Sequence, residues 1–212
     1  MTVSRTLRIA AAAATVLVLT ACGSGDDDAP IPTEDLAPDL TSAPAELTWR
    51  EVSGVSVPTS RVDGPFAGTS VNRSGYSRTP QGAVLAAVNG HTALAVADDR
   101  AWPQVVNTVT APGPGRDEFA TARIAVSVSG SVPEGAAPNF VGFEITDYQS
   151  DPLSAAVSVA QTIGSDPQLY SYPVALQWIG NDWRIVLPTA AENIDAIELD
   201  SLDGYTTLGQ DS

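Results

Sequence analysis

One segment near the C-terminal end of the chain limits the possible folds more than any other. In residues 174–187, apolar and polar side chains alternate on both sides of Gly180-Asn181, which suits a two-residue hairpin turn with glycine in the first central position. A shift of one residue would destroy the agreement between the two strands, so we expect an antiparallel hairpin here. Its facing pairs are Trp178 with Trp183, Leu176 with Ile185, Val174 with Leu187, and Gln177 with Arg184.

Helical patterns lie upstream of this hairpin. Thr79 is a good capping residue and Pro80 suits the first helical position, so a helix is predicted over residues 81–97. Its spacing places Val84, Val88, His91 and Ala95 on one face. A second helix is predicted over residues 102–109, and one or two helical turns over residues 116–121.

A two-residue alternation replaces the helical spacing farther along the chain. It predicts strands over residues 124–128, 141–145 and 153–161, ahead of the hairpin. Helices followed by antiparallel strands are typical of an α+β domain. The expected fold therefore has two or three N-terminal helices packed on a curved antiparallel sheet of about four to five strands.

Residues 1–21 have the pattern of an export signal. Arg5 and Arg8 precede an apolar run from Ile9 to Leu19, which is too short for a membrane span of about 20 residues. No later segment is long enough and apolar enough to span, so no transmembrane helix is expected.

Cys22 follows this run directly and is the only cysteine of the chain. Residues 19–22 resemble the lipobox of bacterial lipoproteins, and they read Leu19, Thr20, Ala21 and Cys22. The resemblance implies that the Cys22 thiol carries a diacylglycerol and that the peptide is cut before it. The mature chain is then expected on the outer face of the cytoplasmic membrane, held there by lipid on Cys22. With Cys22 lipidated, no disulfide can form.

The next segment, residues 22–45, is acidic and rich in proline, which predicts a disordered tether. Its run Asp26-Asp27-Asp28 lacks the alternating spacing of a calcium loop, so no metal site is expected. A globular domain is predicted over residues 46–190. An acidic C-terminal tail follows over residues 191–212, with a short helix or strand expected near residues 194–202.

The charge balance narrows the possible partners. The chain has a formal net charge of −15 and contains no lysine. Because so acidic a surface repels phosphate backbones, nucleic acid is not an expected partner. The expected partners are the membrane, through the lipid on Cys22, and another protein of the cell envelope.

The side chains available for catalysis are few. One histidine, no lysine and no free thiol exclude cysteine nucleophiles, Schiff-base chemistry and multi-histidine metal sites. We therefore assign no catalytic residue, no metal ligand and no cofactor. His91 has two interpretations: a histidine of the core or helix edge with one hydrogen bond, or the general base of a pocket.

Several aromatic residues also have two interpretations. Together with His91 they either line a ligand pocket or fill the core between sheet and helices. This set of candidate pocket or core residues comprises Phe143, Tyr170, Tyr172, Trp178 and Trp183.

Three segments carry a family resemblance: Gly75 to Asn89, Pro112-Gly113-Pro114-Gly115-Arg116, and Gly180-Asn181-Asp182-Trp183-Arg184. With Ser201 to Tyr205 they resemble actinobacterial proteins of unknown function, many of them lipoproteins or products of integrative conjugative elements. The resemblance implies a cone-shaped half-barrel like that of nuclear transport factor two and of the assembly domains of conjugation machines. It implies no catalytic activity.

We therefore expect a non-catalytic, lipid-anchored envelope protein that presents an interaction domain to other envelope proteins, with a role in conjugation as one setting. Two alternatives stay open. In one, the lipoprotein binds a small apolar or cationic ligand in a cavity of the cone. In the other, it is an enzyme that uses His91.

Overall fold

The computed structural model describes residues 37–192 and 195–209. The predicted signal segment, the lipobox at residues 19–22 and most of the predicted tether lie outside these residues. The described chain is an α+β fold with three α-helices and an open, antiparallel sheet of six strands. Within these residues no helix has the length and apolar character needed to cross a membrane.

The described chain begins with two β-hairpins, whereas the sequence predicted that helices come first. Strands β1 (Leu47–Val52) and β2 (Val55–Ser60) are antiparallel, and Val52, Val55 and Val57 are buried. Strands β3 (Ala67–Gly68) and β4 (Arg73–Ser74) form a second, shorter pair.

Helix α1 (Pro80–Val96) packs against β2 and against the main sheet. Its predicted start is confirmed, because the Thr79 Oγ1 accepts a hydrogen bond from the Gly82 N–H at 3.1 Å. The prediction of one apolar face is wrong. Almost every residue of α1 is buried, and Ala95, which was placed on that face, is exposed. A helix enclosed on several sides has no single apolar stripe.

Two shorter helices follow. Helix α2 (Trp102–Val109) has the predicted bounds. Helix α3 (Pro114–Arg123) is longer than the turns predicted over residues 116–121, because it begins inside the proline-glycine segment. A Cβ on Gly115 would lie 2.0 Å from the Leu187 carbonyl oxygen, so the start of α3 lies directly against the chain that follows the last long hairpin.

After a 3₁₀ turn at Glu134–Ala136, four strands form an antiparallel meander. They are β5 (Pro138–Ser150), β6 (Leu153–Ile163), β7 (Asp166–Ile179) and β8 (Asp182–Val186). Two C-terminal strands complete the sheet. Strand β9 (Ile197–Leu199) pairs with β7, and β10 (Thr206–Thr207) pairs with β5. Part of the predicted acidic tail therefore belongs to the sheet.

The hairpin of β7 and β8 confirms the strongest prediction. Its ladder contains Trp178 with Trp183, Leu176 with Ile185, and Gln177 with Arg184. It ends at Val186, so the fourth predicted pair, Val174 with Leu187, is not part of it. Gly180 and Asn181 have φ angles of +61° and +69°, the geometry of a type I′ turn.

The strand predicted over residues 124–128 is wrong. These residues pair with no strand, and 77% of Ile124 and 55% of Val126 are exposed. The segment is held by side-chain hydrogen bonds instead: the Asp99 carboxylate accepts from the Ser127 hydroxyl and from the Val128 N–H. An alternation of apolar residues does not reveal such a competing network.

The main core lies between α1 and the sheet. Phe143 of β5, Val159 of β6 and Tyr172 of β7 are neighbours in register and share one face of the sheet. Phe143 and Val159 are fully buried. Burying an apolar side chain of this size contributes about 1.5–3 kcal/mol, so this row is a principal source of stability.

Candidate functional site

The two predicted tryptophans meet at the turn end of the β7–β8 hairpin. The rings of Trp178 and Trp183 are edge to face, with their centroids 5.5 Å apart. The centroid of the Tyr148 ring lies 6.2 Å from that of Trp183. The Arg78 guanidinium lies 5.9 Å from the centre of the Trp178 ring. This distance is within the range of a cation–π contact.

Hydrogen bonds show that Trp183 and its neighbour Asp182 are structural. Trp183 is buried, and its indole N–H donates to the Ser77 carbonyl at 2.9 Å. The buried Asp182 carboxylate accepts from the N–H groups of Gly75 and Tyr76 at 2.8 and 3.0 Å. Both side chains therefore hold the segment before α1 against the hairpin.

His91 lies on α1 and faces Tyr172 of β7, with ring centroids 4.7 Å apart. Burial lowers the pKa of His91 to about 4, and burial also raises the pKa of the Tyr172 hydroxyl. No carboxylate of the described residues is hydrogen-bonded or ion-paired to the imidazole. The ring is therefore neutral at pH 7 and has no acid or base partner from this part of the chain.

The six candidate residues do not form one site. Tyr170, Tyr172 and Trp178 share a face of β7 because alternate residues of a strand point to the same side. Tyr170 and Trp178 are eight residues apart, which corresponds to as much as about 26 Å along a strand. Tyr170 lies beside Gln161 of β6 and Glu198 of β9, and Phe143 is fully buried in the core.

Two surface cavities of the described residues offer room for a partner, and neither is lined by the six candidates. The first has a volume of about 460 Å³ and lies between the two N-terminal hairpins. The second has a volume of about 370 Å³ and lies between the start of α2 and the chain that follows α3. The sequence reasoning identified neither.

The second cavity combines exposed apolar side chains with a fixed ion pair. Trp102, Ile124 and Val126 line it, and we call these three residues the apolar surface. Arg123 donates from Nη2 to the Asp99 carboxylate at 3.1 Å and stacks over Trp102 at 5.6 Å. Hydrogen bonds from Ser127 and Val128 to the same carboxylate, together with the ion pair, hold the pKa of Asp99 below its usual value.

The sequence pattern around the apolar surface predicted a strand and not an exposed site. The alternation of Ile124, Val126 and Val128 predicted a buried strand, and the same side chains are available at the surface because that strand does not form. No group of three His, Cys, Asp or Glu residues within the described ranges is arranged to hold a metal ion.

Comparison with known proteins places the chain in a family without a described activity. Residues 11–207 match the model of a domain of unknown function, DUF8175. No curated protein matches the chain, and no solved structure matches it. Because the matched region covers most of the 212 residues, the chain belongs to the DUF8175 family.

Proposed function

We propose that this chain is a non-catalytic lipoprotein, anchored through lipid on Cys22, whose domain binds another protein of the cell envelope. The observation that carries the proposal is the apolar surface of Trp102, Ile124 and Val126. Because the chain resembles proteins of conjugative elements, the first partners to test are the proteins of a conjugation assembly.

The apolar surface has two properties of a protein-binding site. Ile124 and Val126 expose large aliphatic groups beside the half-buried Trp102, and tryptophan is a residue type that dominates binding energies at interfaces. The segment that carries them is already fixed by the hydrogen bonds to Asp99. A partner would therefore bind without the entropy cost of ordering the backbone of this segment.

The environment of His91 supports a non-catalytic role. A general base needs a pKa near the operating pH, whereas burial lowers the pKa of His91 to about 4. Its neighbour Tyr172 has a pKa that burial raises, so this pair exchanges no proton near neutral pH.

The partner surface can be tested by photo-crosslinking on intact cells. A photoreactive amino acid at position 124 of the full-length chain should give discrete adducts with an envelope protein. The control is position 197, where Ile197 is similarly exposed on β9, away from the apolar surface. Identical adducts from both positions, or none from position 124, would contradict the proposal.

The anchor needs its own measurement. The native protein should carry lipid mass and partition with membranes, and a Cys22→Ser variant should be released without that mass. Release of both forms without lipid would remove the anchor from the proposal and leave the partner surface to be judged by crosslinking alone.

We further propose that the sheet is a cone-shaped half-barrel of the nuclear transport factor two type. Register shifts interrupt the β5–β6 ladder at two places and the β6–β7 ladder at one, and such irregularities bend strands. Spin labels on the exposed residues Asp166 and Gln177 would test the bend of β7. A straight strand would separate them by about 36 Å, and a half-barrel strand by clearly less.

A further inference from the structure

Three arginines of the domain line one groove. The chain has a formal net charge of −15, and eight of its ten basic residues, all arginines, lie in the described part. Three of these eight line the first cavity, which we call the arginine groove: Arg50, Arg61 and Arg73. No acidic residue lines it, so the local charge is opposite to that of the protein as a whole.

Arg73 is held in place by neutral groups. Its Nε donates to the Ser70 carbonyl at 3.0 Å, and its Nη1 donates to the Asn89 side-chain oxygen at 3.3 Å. Asn89 is buried on α1, and its NH₂ group donates to the Pro58 and Leu85 carbonyls at 2.8 and 2.9 Å. The amide oxygen is thereby fixed toward the guanidinium, so that a buried polar residue orients the cation.

No carboxylate of the described residues neutralises Arg73 or Arg50. The ion pairs in this part of the chain join Arg61 to Glu46 at 3.6 Å, with both side chains largely exposed, and Arg123 to Asp99 elsewhere. Burial lowers the pKa of Arg73, and the like charge of Arg50 acts in the same direction. A half-buried cation without a counter-charge is unfavourable, and a bound anion would relieve that cost.

The remaining lining groups suit a ligand with an anionic and an apolar part. The hydroxyls of Thr48 and Thr59 lie beside the arginines, but they are hydrogen-bonded to each other at 2.9 Å, and the Thr59 hydroxyl donates to the Thr48 carbonyl at 3.2 Å, so the arginines are the donors for the anionic part. Phe66 is 59% exposed and forms an apolar wall. Gly68 has a φ of +101°, and a Cβ there would lie 2.1 Å from the Asn72 carbonyl oxygen, so the tight β3–β4 turn that shapes the groove requires glycine.

We propose that the arginine groove binds the phosphate group of a small ligand whose apolar part packs on Phe66. A phosphate group has three terminal oxygens in a monoester and two in a diester, and arginine binds either in a bidentate manner. The groove has a volume of about 460 Å³ and is open to solvent, so a small molecule can enter it without a change in the fold. The phosphate is carried by either a free ester or a lipid headgroup, and the groove shares no residue with the apolar surface.

The test is calorimetric titration of the full-length chain in detergent at low ionic strength. Phenyl phosphate should bind with a Kd below about 1 mM. Inorganic phosphate should bind more weakly, because it lacks the ring that meets Phe66. Phenylacetate carries a carboxylate on the same ring and should bind at least about tenfold more weakly than phenyl phosphate.

Variants locate the binding. Arg50→Gln and Arg73→Gln should each weaken phenyl phosphate binding by about tenfold or more. The matched control is Arg100→Gln, an exposed arginine outside the groove, which should change the Kd by less than about twofold. Phe66→Ala should remove the advantage of phenyl phosphate over inorganic phosphate. Arg50 is exposed, so its variant keeps the test valid if Arg73→Gln fails to fold.

Each outcome decides the proposal. Dihexanoyl phosphatidylglycerol that binds more tightly than phenyl phosphate, with the same loss in Arg50→Gln, supports the phosphate site and identifies a lipid headgroup as the source. Tighter phenyl phosphate binding supports the site with a free ester. The proposal is overturned if phenyl phosphate fails to bind at about 10 mM, if phenylacetate binds equally well, or if Arg100→Gln weakens binding as much as Arg50→Gln.

Discussion

His91 should make the stability of the fold depend on pH in a way that one substitution removes. Burial lowers the pKa of His91 from 6.5 to about 4 in the folded chain. Between these two values the unfolded chain binds a proton at this residue and the folded chain does not. Because the unfolded state then binds more protons, the free energy of unfolding falls as the pH is lowered from 6.5 to 4.

The size of this effect follows from the two pKa values. Between pH 7.5 and pH 5.0 they correspond to a loss of about 2 kcal/mol in the free energy of unfolding. This is an upper limit, because part of the imidazole contacts solvent. For about 170 described residues, it corresponds to a fall in melting temperature of roughly 4–8 °C.

The assay compares the native chain with a His91→Phe variant, which keeps an aromatic ring against Tyr172 and removes the titration. Urea unfolding of both at pH 7.5 and 5.0 gives four free energies. The carboxylates contribute equally to both proteins, so the difference between the two pH-dependent losses isolates His91. Equal losses in the two proteins would refute the reasoning and show that the imidazole titrates as it does in water.

Three further substitutions test the packing and the turns. Gly115→Ala should lower the free energy of unfolding by about 1–3 kcal/mol, because its methyl group would meet backbone carbonyls. Gly113→Ala has open space around the new methyl group and should be nearly neutral. Similar urea midpoints for the two variants would contradict this contact. Asp182→Ala should cost roughly 2–4 kcal/mol, because the N–H groups of Gly75, Tyr76 and Trp183 lose their acceptor. An unchanged melting temperature would show that they find other partners. Asn181→Val should destabilise the hairpin by about 1–2 kcal/mol, because valine is strained at the positive φ of this position, while Asn181→Gly should not. Equal effects of the two variants in thermal unfolding would exclude the type I′ turn.

The parts of the fold that could be predicted are those with local signals. Thr79-Pro80 marks the start of α1, and the pairing around Gly180-Asn181 is set by a two-residue turn and alternation. The β1–β2 hairpin was missed because Pro58 lies inside β2, and a proline within a run argues against a strand. The segment after α3 was misread because an alternating pattern does not show that Asp99, distant in sequence, will bind it.

The candidate sites could also be predicted only as far as local sequence signals allowed. The aromatic residues of β7 were predicted to share a pocket or the core, yet the length of the strand separates Tyr170 from Trp178. The arginine groove depends on contacts across two turns and on Asn89, which lies on a helix. Its one sequence signal was the concentration of Arg50, Arg61 and Arg73 in a short stretch of an acidic chain.

Strand β10 and the segment around it bring the two ends of the described chain together. The Thr206 hydroxyl donates to the Thr41 carbonyl at 2.7 Å, and the Trp49 indole N–H donates to the Gly209 carbonyl at 3.3 Å. A short peptide joining these ends, with a new opening at the unobstructed Gly130, would give a circular permutant that keeps every strand pairing. The two ends of the described chain can therefore be joined, and the new chain ends can be placed at another exposed turn by engineering.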